Sequence, residues 1–367
     1  IIINVTDASK LYSNIKTLDY LEEIPTQSGL YRWYGLYKTF KIPVEIYMTD
    51  AAHLGSELIK HSSGANHLRL TDANGKTFLQ IAHATPFASE EEFYQRVQLP
   101  FIPSELREGY RELKLVEENR LADLITDAAI QGSFHNHSTY SDGQHSLEEM
   151  TKACVALGYT YFGISDHSKS AFYASGLNEE TVAKQQLEID TLNATYNTIK
   201  IFKGIESDIL NDGSLDYSDD VLKSFDFIVA SIHSNLKMNE EKATQRLITA
   251  IENPFTTMLG HPTGRLLLKR EGYPIDHKKI IDACAANNVI IEINAHPWRL
   301  DMDWRHIGYA LDKGCIISIN PDAHEKIGLA DVHFGICVAR KAGLCVDQTF
   351  NAWPLEKVSA WLKTKGK

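Results

Sequence analysis

From residue 133 onward, short apolar runs rich in β-branched and aromatic residues take turns with longer stretches of helical spacing, a rhythm that predicts βα units around a parallel sheet. Seven strands are expected, at 133–137, 161–165, 199–206, 225–231, 256–260, 289–294 and 316–320. Helices at 147–157, 179–198, 238–252, 276–287 and 304–313 fall between them. Upstream, Val44 to Met48 alternates as a strand, residues 50–61 have helical spacing behind a cap at Asp50, and two further strands are expected near 67–70 and 78–81. The run Leu99-Pro100-Phe101-Ile102-Pro103 cannot be one helix through two prolines. It predicts a smaller first segment over 1–98, a linker over 99–130 with a partly helical stretch from 107 to 124, and a second domain over 131–367.

Composition narrows the class. At 367 residues the chain is long enough for a large core and more than one domain. No run of about 18 apolar residues predicts a membrane span, and the first residues lack the basic flank of a secretory signal, so the cytoplasm is the expected location. Five scattered cysteines (Cys154, Cys284, Cys315, Cys337, Cys345) form no disulfide framework or Cys-x-x-Cys zinc pair. A formal net charge of -11 argues against broad attraction to a phosphate backbone, so nucleic-acid binding requires local features. The chain begins without methionine, in an apolar stretch from Ile1 to Val5 that reads as the tail of a strand, and is expected to be a fragment.

The chemistry is concentrated in seven short segments: Phe134 to Gly143, Asp166-His167, Glu206, His233, His261, Glu292 with Asn294, and Asp322-Ala323-His324. Each lies at or just past the C-terminal end of an expected strand. In an α/β barrel those ends form the face where functional groups meet. Alternate residues of a strand share a face, so His135 and His137 are placed to hold one ion between them, and the whole set has nitrogen and carboxylate donors for more than one divalent ion. Asp166 is expected to orient a neighbouring histidine rather than touch metal. Glu292 and Asn294 either line the mouth or close their strand. His53, His61, His83, His145, His277, His306 and His333 have no such company and read as ordinary hydrogen-bonded histidines.

The wording of these segments resembles a known family. His135-Asn136-His137 with Tyr140-Ser141-Asp142-Gly143, Ser165-Asp166-His167-Ser168, Gly204-Ile205-Glu206, Ser231-Ile232-His233-Ser234, Gly260-His261-Pro262-Thr263-Gly264-Arg265, Glu292-Ile293-Asn294 and Asn320-Pro321-Asp322-Ala323-His324 together resemble a PHP (polymerase and histidinol phosphatase) domain. His296 departs from the family wording, which has Asn. Gly260 to Arg265, Pro297 to Asp301 and Asn351 to Glu356 are similar to the PHP domain attached to bacterial family X DNA polymerases. Upstream, Leu54 to His67 resembles the thumb of that family, Phe87 to Leu106 its junction with the PHP domain, and residues 1–50 the last part of a palm.

The resemblance implies a distorted (β/α)7 TIM-like barrel preceded by a smaller α+β palm and thumb-like segment. It implies three divalent ions, Mn2+ and/or Zn2+ with Mg2+ as a further candidate: one held by His135, His137, Glu206 and Asp322, a second by Asp142, His167 and His324, a third by His233 and His261 with Glu206 bridging. The implied activity is phosphodiester hydrolysis at DNA 3′ ends, a 3′-5′ exonuclease with abasic-site or 3′-phosphate processing, in which Glu206 and His233 are catalytic. Arg265, in a glycine-flanked loop after His261, is the first candidate for a phosphate contact and Arg299 the second. A histidinol-phosphatase-like small-molecule phosphatase and an inactive binding module are the alternatives. Family X palms use three aspartates. Two are absent here, and the third aligns with Glu45, so nucleotidyl transfer is not expected from this chain.

Overall fold

The structure, a computed structural model, describes residues 1–365, which form two compact units, Ile1–Leu121 and 122–365. In the first, strands β1 (Ile2–Asn4), β2 (Leu21–Glu23), β3 (Arg32–Tyr37) and β4 (Ile42–Thr49) make a sheet in the order β1-β4-β3-β2, antiparallel except for the β1–β4 pair. Helix α1 (Ala8–Ile15) contributes Ile15 to the cluster formed with Trp33, Ile46 and Met48. The rest of the unit is helical: α2 (Leu54–Ser62), α3 (Ala65–Leu68), α4 (Phe78–Ala84), α5 (Glu90–Arg96) and α6 (Glu112–Glu117).

Two expectations fail in this unit. Residues 67–70 and 78–81 are not strands but fall in or beside α3 and α4. The apolar-polar alternation of His67-Leu68-Arg69-Leu70 has a polar residue that is buried: His67 bonds Glu112 at 2.9 Å and Tyr94 at 3.1 Å inside the core. Helix α4 opens with a capping box between Thr77 and Gln80. The segment 99–130 is not a free linker either. Ile102, Leu106 and Leu115 are buried, and so is Arg107, which donates to the Ile102 carbonyl at 2.8 Å, to Ser62 at 2.9 Å and to Glu90. Residues up to 121 therefore belong to the first unit.

The second unit is a parallel sheet of seven strands in sequential order, β5 (Gly132–Ser133), β6 (Tyr161–Ile164), β7 (Lys200–Asp208), β8 (Phe227–Ser231), β9 (Met258–Leu259), β10 (Ile290–Asn294) and β11 (Ile317–Asn320). Helices α7 (Leu147–Ala156), α8 (Glu179–Thr195), α9 (Asp219–Leu222), α10 (Glu240–Ile251), α11 (His277–Ala286), α12 (Trp304–Asp312), α13 (Val332–Lys341) and α14 (Leu355–Leu362) complete it. All seven expected strands and five expected helices are present. The sheet nearly closes into a barrel. A parallel bridge joins Asn136 to Ala323, and the Asn351 side chain stitches the seam, donating to Gly132 O at 3.1 Å and Ile319 O at 2.7 Å while accepting from Ile319 N at 2.9 Å.

Alternation along the strands divides the two faces. Phe162, Ile164, Ile201, Ile205, Ile228, Ala230, Leu259, Ile291, Ile293, Ile317 and Ile319 join the larger core cluster, which takes in the helices. Tyr161, Phe202, Phe227, Met258 and Ile290, at the opposite parity, form a second cluster with Phe350 and Trp353 at the strand starts. Two residues further along each of β6, β7 and β9 comes a glycine. Gly204 has to be one, because a Cβ there would lie 2.1 Å from the Phe227 ring. Two residues on again, the same face becomes polar, with Ser165, Glu206 and Ser231, joined by Glu292, Asn294 and Asn320. The inner face thus runs from aromatic to ionisable along the strand direction.

Candidate metal centre

Glu206, near the end of β7 and 1% exposed, stands among five histidines. Its Oε1 lies 3.2 Å from His135 Nε2, 3.2 Å from His233 Nε2 and 3.0 Å from His261 Nε2, and its Oε2 lies 2.9 Å from His167 Nδ1 and 3.7 Å from His137 Nε2. Asp322 adjoins them, with Oδ1 3.0 Å from His137 Nε2 and 3.5 Å from His135 Nε2. Its backbone φ of 53° is left-handed, a conformation aspartate tolerates better than most residues. At the outer end, Asp142 Oδ1 lies 3.6 Å from His167 Nε2 and 3.3 Å from His324 Nε2. The nine residues expected to hold metal are therefore brought together. β5 ends at Ser133, so the His135 and His137 rings meet from the loop beyond the strand, with centroids 5.4 Å apart.

Donor atoms within 4.8 Å of one another define four overlapping groups: His137-Asp142-His167-His324, His135-His137-Asp322, His135-Glu206-His261 and His167-Glu206-His233. The grouping differs from the one expected, since His261 pairs with His135 rather than with His233, and His167 belongs to two groups. The donor set fits divalent cations. His135 Nε2, His167 Nδ1 and Glu206 Oε2 are buried without a hydrogen-bond partner, although each has an oppositely disposed neighbour close by. Buried polar atoms are rarely left so, and lone pairs converging without aligned donors are what a cation requires.

Outer partners aim the rings. His135 Nδ1 lies 2.7 Å from Glu292 Oε1 and His233 Nδ1 lies 2.7 Å from Asp208 Oδ1, which in each case leaves Nε2 directed at Glu206. Glu292 also accepts from Asn320 at 3.1 Å and from the His261 backbone at 2.8 Å. Asp208 was not anticipated from sequence, yet it lies two residues beyond Glu206 on the same strand and hence on the same face. Asp166 does not orient a histidine. Its carboxylate accepts from Ser138 N and Oγ at 2.7 Å, from Ser141 Oγ at 2.5 Å and from Gln185 at 2.6 Å, fixing the loop that carries Asp142.

Charge within the cluster is strongly polarised. Burial pushes the Glu206 carboxyl up, but His233, His135 and His167 outweigh it and hold the pKa well below the usual range. Asp322 is likewise held well down against burial, chiefly by His135 and His137. Burial works against protonated His233 and His324, yet the facing carboxylates raise them to about 10 and about 9. His137, packed against His324 and His167, falls to about 3 through burial and its like-charged neighbours.

The two arginines face different surroundings. Arg265, the first candidate for a phosphate, faces its own loop: it donates to Arg299 O at 2.8 Å, to Leu300 O and to Asp303 at 3.1 Å. Those backbone carbonyls occupy the edge a phosphate would need. Arg299 instead reaches the cluster, with Nε 3.4 Å from Asp322 Oδ2.

Residues 133–296 match the PHP domain family. The chain is 42% identical over 289 residues to the DNA polymerase/3′-5′ exonuclease PolX of Bacillus subtilis (strain 168), a match covering 79% of this chain and 50% of that relative, so the chain spans about half of that protein's length. It is 28% identical over 177 residues to a probable phosphatase of Thermoanaerobacter sp. (strain X514), covering 46% of this chain and 69% of the relative. Among solved structures, histidinol phosphate phosphatase from Lactococcus lactis aligns with a TM-score of 0.44 at 16% identity, over 58% of this chain and 94% of the other. The PHP match falls within the second unit, whose parallel seven-stranded sheet carries the histidine and carboxylate segments in sequence order, and it identifies residues 133–296 as a PHP domain.

Proposed function

We propose that the chain is a metal-dependent phosphoesterase that hydrolyses DNA phosphodiesters from the 3′ end. The observation that carries this is Glu206, one buried carboxylate facing five imidazoles, together with the 42% identity to a 3′-5′ exonuclease. Three ions are assigned to the nine ligands His135, His137, Asp142, His167, Glu206, His233, His261, Asp322 and His324, and the mixture of imidazole and carboxylate suits Mn2+ or Zn2+. Divalent ions, when bound by these residues, would supply Lewis acidity for phosphoester hydrolysis.

The protein supports that chemistry in three ways. Asp208 and Glu292 fix His233 and His135 so that Nε2 of each stays directed inward. Asp166 holds the Ser138–Ser141 turn and with it the position of Asp142. Arg299, whose Nε lies 3.4 Å from Asp322 Oδ2 at the cluster edge, is the residue we assign to a phosphoryl oxygen of the substrate. DNA is the partner, and the cytoplasm is where we place the reaction. Nucleotidyl transfer is not included, because Glu45 is engaged by Arg32 and Tyr47.

The test is to strip metal, add back Mn2+ or Zn2+, and follow a 5′-labelled single strand. Stepwise shortening from the 3′ end is expected. Hydrolysis of histidinol phosphate with DNA left untouched overturns the assignment in favour of a small-molecule phosphatase.

A further inference from the structure

Exposed aromatic rings stand on two loops that reach the metal centre, one through Tyr173 and the other through Arg299, and the hydrolytic chemistry uses none of the rings. Phe172 is 88% and Tyr173 71% exposed, both on the short 3-10 turn Phe172–Ala174 in the loop after β6. Large rings held in water beside a reactive cluster mark a surface that something covers. This turn is firmly built. Ala171 and Ala174 are buried, Asp216 accepts from Ser168 Oγ at 2.7 Å and from Ser170 N at 2.6 Å, and Leu177 N donates to His167 O at 2.8 Å. Its position is fixed by the Tyr173 ring, 6.0 Å from the His167 ring and 6.5 Å from that of His233.

On the Asp322 side a second ring is displayed. Trp298 is 42% exposed with Lys269 Nζ 3.8 Å over its ring, and the next residue is Arg299, which reaches Asp322. The Trp298 carbonyl accepts from Leu267 N at 2.6 Å, which ties the two loops together. Preformed π faces next to cations are the chemistry that receives single-stranded nucleic acid, bases on the rings and phosphates on the cations. Every base has a face to stack, whereas a small phosphate monoester without a ring gains nothing from them. The arrangement also meets the difficulty raised by the net charge of -11, because stacking does not depend on a broad positive field.

Resting on the nuclease reading above, we propose that Phe172, Tyr173 and Trp298 form a stacking rim that grips the terminal bases of single-stranded DNA and delivers its 3′ end to the cluster. The rim determines which substrate is used, and the cluster cuts it.

The test uses the full chain with Mn2+ and two 5′-labelled single strands that differ only in their last few 3′ nucleotides, base-bearing in one and abasic in the other. The base-bearing strand should show a KM about tenfold lower, the scale of one base–aromatic stack. Phe172→Ala and Trp298→Ala should each raise that KM about tenfold, with a much smaller change in kcat, and Phe172→Trp should restore it. A 2-aminopurine placed at the 3′ terminus should be quenched on binding to the unaltered protein and less so on either alanine variant. Equal KM values for the two strands, or alanine variants with unaltered KM, would sink the rim and leave the nuclease assignment standing. Failure of the unaltered protein to shorten either strand would remove both.

Discussion

Glu45 in the first unit and Glu206 in the second are both strand carboxylates where a metal ligand was sought, and their surroundings are opposite. Glu45, on β4, is held by Arg32 and by the Tyr47 hydroxyl at 2.8 Å, with both members of the ion pair more than a third exposed. Those bonds, Arg32 first and then Tyr47, keep its pKa low. Glu206 is buried among imidazoles and keeps an oxygen without a hydrogen-bond partner. A guanidinium never gives up its proton, so the charge of Glu45 is already matched. An imidazole can give up its proton to an arriving cation, and the ring nitrogens around Glu206 can then become ligands. Carboxylate count alone does not make a metal site. What decides is whether the neighbours can change from donors into ligands.

The largest expected effect separates the two directly. Glu206→Ala should abolish hydrolysis, by more than the roughly 100-fold typical of losing an outer partner, and should lower bound metal by elemental analysis. Full metal content in that variant would refute its central role. Glu45→Gln should leave both rate and metal unchanged, and a loss of metal there would dissolve the contrast. Next come the partners that aim the rings: Asp208→Asn and Glu292→Gln should each cost about 10- to 100-fold in metal affinity or activity.

The arginines sharpen the comparison within the second unit. Arg299→Ala should raise KM for DNA about tenfold, the loss of one charge-assisted contact, whereas Arg265→Ala should chiefly lower the melting temperature. The reverse pattern would return the phosphate to Arg265.

The smallest effect is a slope. In the metal-free protein His233 and His324 keep their protons up to about pH 10 and about pH 9. A ligand must be deprotonated, so at pH 7.5 metal uptake should release protons, and affinity should rise with pH and fall on acidification. Calorimetry in buffers of different ionisation enthalpy counts those protons. No release would mean that the raised histidines are not ligands.

Much of the second unit was legible because parallel strands print their parity in the sequence. Gly204 and Glu206 follow Phe202 at intervals of two, so the face bearing the aromatic packing also bears the carboxylate. The same parity places Asp208 on the face of Glu206, two residues further along β7. Two of the metal groups follow the expected sets, His135-His137-Asp322 and Asp142-His167-His324, whereas the partner of His261 depends on loop paths such as the one carrying His135 beyond β5. In the first unit, α3 and α4 were misread because four and seven residues are too few to display a helical period. The Thr77–Gln80 cap was a usable signal. Arg265 faces backbone carbonyls, because a glycine-flanked loop presents these as readily as it admits a phosphate.

The seam stitched by Asn351 determines when the site can first exist. His137 meets Asp322, 185 positions further along the chain, and the amide that joins β5 to β11 comes later still. As the chain leaves the ribosome, the opening histidines wait through nearly all of the second unit before their partners emerge. Metal cannot be fully captured by a nascent chain that has not yet released β11 and Asn351, so hydrolytic competence waits for the seam to close.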